Sequence, residues 1–170
     1  MIILGALLAG GKARRFGSDK AHALYRGERL IDRVAAALKA QCDHVVVCGR
    51  DEPQFVCIPD RPKPGLGPLG GLNAAFEYAR LHECTHVLTT GVDIPNLPHD
   101  IATTLSGEGA AIAQNQPVVG LWPVALAQTL DTFLRDGGRA LYGFAETVGA
   151  RRIAVDPPLM NVNAPGDLPR

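Results

Sequence analysis

A chain of 170 residues with 46% apolar and 20% charged side chains suits one globular domain over residues 1–170 that buries roughly 70% of the surface its unfolded chain would expose. This composition excludes intrinsic disorder, collagen and coiled coil. Lys and Arg number 17 and Asp and Glu number 17, so there is no general positive field to grip a nucleic-acid backbone or an anionic membrane.

The apolar start, Met1 to Ala9, has no basic segment before it and no cleavage-site pattern in Gly10-Gly11-Lys12, so it reads as a strand and not as a leader. Ile2 to Leu8 is a continuous apolar run, as in a strand covered on both faces. A glycine-rich basic loop follows, from Ala9 to Lys20. Leu30, Ile31, Val34 and Leu38 recur at helical spacing and predict a helix over 29–40. Val45 to Cys48 and Phe55 to Ile58 predict two more strands. Residues 59–68 carry four prolines and read as a loop.

Leu72, Ala75, Phe76 and Ala79 predict a helix beginning near Gly70, with its N-terminus facing that loop. A buried strand, His86 to Thr90, leads into Gly91-Val92-Asp93-Ile94-Pro95. Ala110 to Ala113 and Val118 to Trp122 are further strands, followed by a helix with Pro123 in its first turn. Asp136-Gly137-Gly138 ends that helix and Arg139 opens the next. A last strand over 152–155 and the segment Asn161-Val162-Asn163-Ala164-Pro165 complete the pattern. Strands alternating with helices predict an α/β layered domain with a largely parallel sheet, whose ligands bind at the carboxyl ends of the strands. The unusual loops all follow strands and are therefore expected at one edge.

The four cysteines, Cys42, Cys48, Cys57 and Cys84, lie 6, 9 and 27 residues apart without a C-x-x-C pair, which predicts reduced thiols in a soluble, cytoplasmic protein. No stretch reaches the ~20 apolar residues that span a bilayer. None of the five histidines pairs recognisably with Cys, Ser or Asp, so a hydrolase triad has no support.

In the first loop, Gly10 and Gly11 offer unshielded backbone N–H groups, and Arg15 and Lys20 add point charges, which suits a polyphosphate. A surface loop with solvated charges is the alternative. Gly11 and Gly17 are six residues apart with Ser18 next, which excludes a Walker A loop. Gly65 to Gly70 matches G-x-G-x-x-G, but Pro59, Pro62 and Pro64 separate it from the preceding strand, against a dinucleotide fingerprint. Asp93, beyond a buried strand, suits Mg²⁺, a hard cation often held by one or two carboxylates plus substrate phosphates. It would equally cap the turn before Pro95.

Leu8-Ala9-Gly10-Gly11 with Arg15, Gly17 and Lys20, then Asp60, Gly67-Pro68-Leu69-Gly70-Gly71, Asp93-Ile94-Pro95, and Asn161-Val162-Asn163-Ala164-Pro165 together resemble the molybdenum cofactor guanylyltransferases. The resemblance implies a three-layer α/β/α sandwich with a mostly parallel mixed sheet, of the nucleotide-diphospho-sugar transferase (Rossmann-like) type. It implies transfer of GMP from GTP to the phosphate of molybdopterin, with Mg²⁺ and release of pyrophosphate.

By matching position, Leu8, Ala9, Gly10 and Gly11 would meet the nucleotide, and Lys20 and Arg15 its phosphates. Asp60, Gly67, Pro68 and Leu69 would complete the nucleotide side, and Asp93 would hold the metal. Asn161 and Asn163 would line the same cleft or assist the metal, and Arg139 would meet the pterin phosphate. For these last three, turn-forming or solvated roles are the alternatives. The family often has Asn where this chain has Cys48, and Thr where it has Ala164. Same-fold alternatives are CTP as donor, or a sugar phosphate or cobinamide phosphate as acceptor. A non-catalytic cofactor carrier and an NAD-binding oxidoreductase are further alternatives. Expected protein partners are apo-molybdoenzymes or molybdopterin-handling proteins.

Overall fold

The computed structural model describes residues 1–10 and 19–169. The chain opens with β1 (Ile3–Leu8), and a 3-10 turn at Lys20–His22 precedes a hairpin of β2 (Leu24–Tyr25) and β3 (Glu28–Arg29). Then come α1 (Leu30–Lys39), β4 (His44–Cys48), β5 (Val56–Ile58), α2 (Pro68–Leu81) and β6 (His86–Gly91). The second half holds α3 (Ile101–Leu105), β7 (Ala111–Ala113), β8 (Gln116–Pro123), α4 (Ala127–Arg135), α5 (Leu141–Thr147) and β9 (Arg151–Ile153).

Seven strands form one sheet in the order β5-β4-β1-β6-β8-β7-β9. All neighbouring pairs are parallel except those of β8, which runs antiparallel to β6 and β7. Period-two alternation sorts β1 between two cores. Ile3 and Leu7 pack with Ile31, Val34 and Leu38 of α1 and Ile101 and Leu105 of α3. Leu4 and Ala6 face the other way, into Leu72 and Phe76 of α2, Leu130 of α4 and Phe144 of α5. The result is the three-layer α/β/α sandwich that the resemblance implies.

Each fully buried Leu, Ile or Phe stabilises the fold by roughly 1.5–3 kcal/mol relative to exposure. Gly5 lets α1 approach the sheet: a Cβ there would meet Cys42 Sγ at 3.1 Å and Leu38 Cβ at 3.2 Å. Under the second core, the Trp122 indole N–H donates to Thr89 Oγ1 at 3.0 Å with both residues fully buried, so the polar end of the largest core side chain is satisfied.

The element boundaries correct the sequence reading in several places, and the last strand covers Arg151–Ile153 and not 152–155. Pro123 ends β8 and is not in a helix's first turn, because its neighbourhood continues the ladder to His86 before a 3-10 turn leads into α4. The helix predicted from Arg139 starts at Leu141. The helix predicted near Gly70 starts at Pro68, whose missing N–H costs nothing at a first turn. The β2–β3 hairpin and α3 are too short to show a period. No helix among the described residues is long and apolar enough to cross a membrane.

Candidate nucleotide site

After β1 the chain runs to β4 and β5 on one side and returns through α2 to β6 on the other, so the order reverses beside β1. In open α/β sheets this reversal leaves a crevice at the carboxyl ends of the strands. Here the ends of β1, β4 and β6 open onto a cleft of about 520 Å³.

One wall is built from close backbone approaches around Asp60. A Cβ on Gly49 would lie 2.8 Å from Gly10 Cα and 3.0 Å from Asp60 Oδ1, and one on Gly71 would lie 2.7 Å from Leu8 Cδ2. A Cβ on Gly70 would meet the Asp60 side chain at 3.2 Å. The glycines thus form a slot that fits the Asp60 carboxylate against the N-terminus of α2, and burial raises the pKa of Asp60. Cys48 lies beside this slot, and burial pushes its thiol far up, so it stays neutral.

The opposite wall carries the charges. Asp19 caps the 3-10 turn by accepting from Ala21 N–H at 3.2 Å, and this turn begins with Lys20. Lys20 Nζ stands 4.0 Å from Asp93 Oδ2, with the two side chains 21% and 24% exposed. Burial raises the pKa of Asp93 and the Lys20 ammonium partly opposes that shift. A Cβ on Gly91 would lie 2.6 Å from Asp93 Oδ1, so only glycine lets the carboxylate turn back to this position.

Several hydrogen bonds hold the Asp93 loop. Val162 N–H donates to Asp93 O at 2.9 Å, and Arg33 Nε donates to Pro95 O at 2.7 Å. Asn96 clamps the tail from both sides, donating to Pro158 O at 3.0 Å and accepting from Met160 N–H at 2.7 Å. The tail thereby brings Asn161 to the cleft.

Leu8, Ala9, Gly10, Lys20, Asp60, Gly67, Pro68, Asp93 and Asn161 all line this cleft. Leu69 does not: its side chain is fully buried in the core with Leu72 and Phe76, because it falls on the same helical stripe. Asn163 is exposed, outside the lining of the cleft, and its N–H donates to Asp167 Oδ2 at 2.8 Å, the local turn that the sequence left open. Arg139 donates to Leu134 O at 2.9 Å and to Gly138 O at 2.6 Å, capping the end of α4 instead of reaching the cleft. Gly11, Arg15 and Gly17 lie outside the described residues.

The sequence reading missed Asp19, Gly49, Arg50 and Glu52. The signal for the last three is the run Gly49-Arg50-Asp51-Glu52 directly after a buried strand, and for Asp19 its place beside Lys20. Asp19, His22 and Glu52 bring ligand atoms within 4.8 Å of one another, a spacing a metal ion would suit. Arg50 already supplies the cation there, with contacts to Asp19 and Glu52. Asp93 lines the open cleft with Asn161 on the same lining and the Lys20 ammonium 4.0 Å away, a lone carboxylate of the kind that holds Mg²⁺ together with substrate phosphates.

The pattern that defines the MobA-like NTP transferase domain matches residues 5–150. A molybdenum cofactor guanylyltransferase of Rhizobium johnstonii is 33% identical, over 98% of this chain and 90% of its own length. One of Cereibacter sphaeroides is 35% identical, over 100% of this chain and 95% of its own. Among solved structures, molybdopterin-guanine dinucleotide biosynthesis protein A from Archaeoglobus fulgidus shares the fold with a TM-score of 0.76 at 22% identity, covering 96% of this chain and 94% of that one. With the motif residues gathered at one sheet edge and relatives matched over nearly the whole length, the chain belongs to the MobA-like NTP transferase family and is a nucleotidyltransferase.

Proposed function

We propose that this enzyme transfers GMP from GTP to the terminal phosphate of molybdopterin. The observation that carries this reading is the approach of Lys20 to Asp93 in the lining of the cleft, 4.0 Å apart, within a family whose members named above are molybdenum cofactor guanylyltransferases. An acceptor phosphate oxygen attacks the α-phosphorus of GTP. The bond from the α-phosphorus to the bridging oxygen breaks, and pyrophosphate leaves with the electron pair. The acceptor phosphate has a second pKa of ~6, so it is already nucleophilic at neutral pH and needs no general base. That requirement agrees with a cleft lined by no histidine among the described residues.

The remaining work is positioning two polyanions in line and neutralising the leaving charge. In this reading the Leu8–Gly10 backbone and the Asp60 slot receive the nucleoside, and Lys20 holds the phosphates. Asp93, with Asn161 beside it, would hold Mg²⁺, which screens the phosphate charge and stabilises the departing pyrophosphate. Gln116, Pro117 and Val118 of β8, on the far side of β6 from Cys48, and Leu141 of α5 line the same cleft and would receive the pterin. The four free cysteines suit the reducing conditions of a cytoplasm.

Incubation with GTP, Mg²⁺ and molybdopterin, followed by chromatography, is expected to yield the guanine dinucleotide and an equal amount of pyrophosphate. Absence of both products overturns the reading. Equal use of CTP would overturn the guanine assignment alone.

A further inference from the structure

Arg50 joins two parts of the chain that meet only in the folded protein. Its Nη1 donates to Asp19 Oδ1 at 2.8 Å while Nη2 pairs with Asp19 Oδ2, a bidentate geometry that fixes orientation as well as distance. The same Nη2 lies 2.9 Å from Glu52 Oε1, and His22 Nε2 reaches that oxygen at 2.8 Å. Glu52 has a side chain only 3% exposed, an expensive place for a carboxylate unless it is paired. Both ends of the 3-10 turn are therefore tied to the connector after β4, Asp19 through Arg50 and His22 through Glu52. Lys20 lies between these two ties.

We infer that Asp19, Arg50 and Glu52 form a bracket that positions the Lys20 ammonium for the substrate phosphates, making Asp19 and Arg50 positioning residues of the transfer reaction. The inference rests on the proposed role of Lys20 as a phosphate contact. Lysine is a point charge on a flexible stem, so where its backbone is held decides how much of its charge reaches a ligand. The guanidinium of Arg50 holds the Asp19 carboxyl at a pKa of about 2, so the pair stays ionised at any working pH.

Asp19 gives a test in which simple electrostatics and positioning have opposite signs. It is an anion lining a cleft for an anionic ligand, so deleting its charge should tighten nucleotide binding if charge alone mattered. The bracket demands the reverse. Titration calorimetry with GTP and Mg²⁺ on Asp19→Ala is expected to show roughly 10-fold weaker binding, the scale typical of losing a group that orients a ligand-binding residue. Asp19→Asn keeps an oxygen for Ala21 N–H and for one Arg50 donor, and should recover most of the loss. In a Lys20→Ala background, Asp19→Ala should produce no further weakening.

Tighter binding in Asp19→Ala overturns the bracket. So does an equal loss with and without Lys20, or an Asn variant as weak as the Ala one. If circular dichroism shows that Asp19→Ala fails to fold, Arg50→Lys, which forfeits the bidentate pair, is titrated in the same two backgrounds and judged by the same criteria. Wild-type affinity in Lys20→Ala alone would instead remove Lys20 from the site and overturn the nucleotide reading on which the bracket depends.

Discussion

Replacing Gly49 by alanine tests the backbone packing on which the Asp60 wall of the cleft depends. Gly49 has φ +84, where a Cβ costs roughly 1–2 kcal/mol. The added Cβ would also stand 2.8 Å from Gly10 Cα, and reaching an ordinary contact of at least 3.4 Å requires the two segments to part by about 0.6 Å. The nearest neighbour is backbone, which cannot swing aside as a side chain can, so the overpacking adds roughly 1–3 kcal/mol. A total near 3 kcal/mol lowers Tm by roughly 6–12 °C in a chain of this size.

The same displacement moves Gly10 and Asp60 within the cleft. Misplacement by 1 Å costs ~10²-fold in rate, so about 10-fold is expected in kcat/KM for GTP. Gly109→Ala is the control: its φ of +71 carries the same kind of strain, but a Cβ there meets nothing within 4 Å. Thermal unfolding and steady-state kinetics on both variants separate strain from crowding. A Gly49→Ala protein no less stable than Gly109→Ala, with wild-type kcat/KM, would refute the close-approach argument.

Asp93→Asn should lower turnover by ~10²-fold or more through loss of the metal-holding charge, yet raise the Tm of the ligand-free protein at pH 7. Burial lifts the folded pKa above the ordinary 3.8, so ionised Asp93 opposes folding at neutral pH. The advantage of Asn should therefore fade as pH falls through the folded pKa toward 3.8 and the wild-type carboxyl takes up its proton. A lower Tm at pH 7, or near-normal turnover, contradicts the assignment. Trp122→Phe should cost roughly 1–3 kcal/mol in urea unfolding, because it removes the donor to the buried Thr89 hydroxyl. Pairing it with Thr89→Val should cost less than the two losses added together, and strict additivity would argue against that bond.

Much of this protein is legible in the order of its residues. The unbroken apolar run Ile3 to Leu8 announces a strand covered on both faces, and the helical stripes of α1 and α2 announce the layers that cover it. Gly10 and Gly11, bare backbone beside Arg15 and Lys20 directly after a buried strand, suggest a phosphate-binding loop from the sequence alone, whereas Asp60 enters only through the family resemblance. Leu69 could have been assigned to the core from sequence as well, because it lies three residues before Leu72 on the same stripe.

Other features depend on chain segments that are distant in sequence. The antiparallel course of β8 depends on which strand it pairs with, and its apolar pattern is the same in either direction. Asn161 lines the cleft while the Asn163 N–H turns to Asp167, with the backbone bond from Val162 to Asp93 between them. Asp19 and Arg50 are 31 residues apart and join only once β4 has docked beside β1. Periodicity along a chain records which face of each element is buried, a local property. Which charges meet across a cleft is decided by how those elements stack, and that is settled only when the whole sheet is assembled.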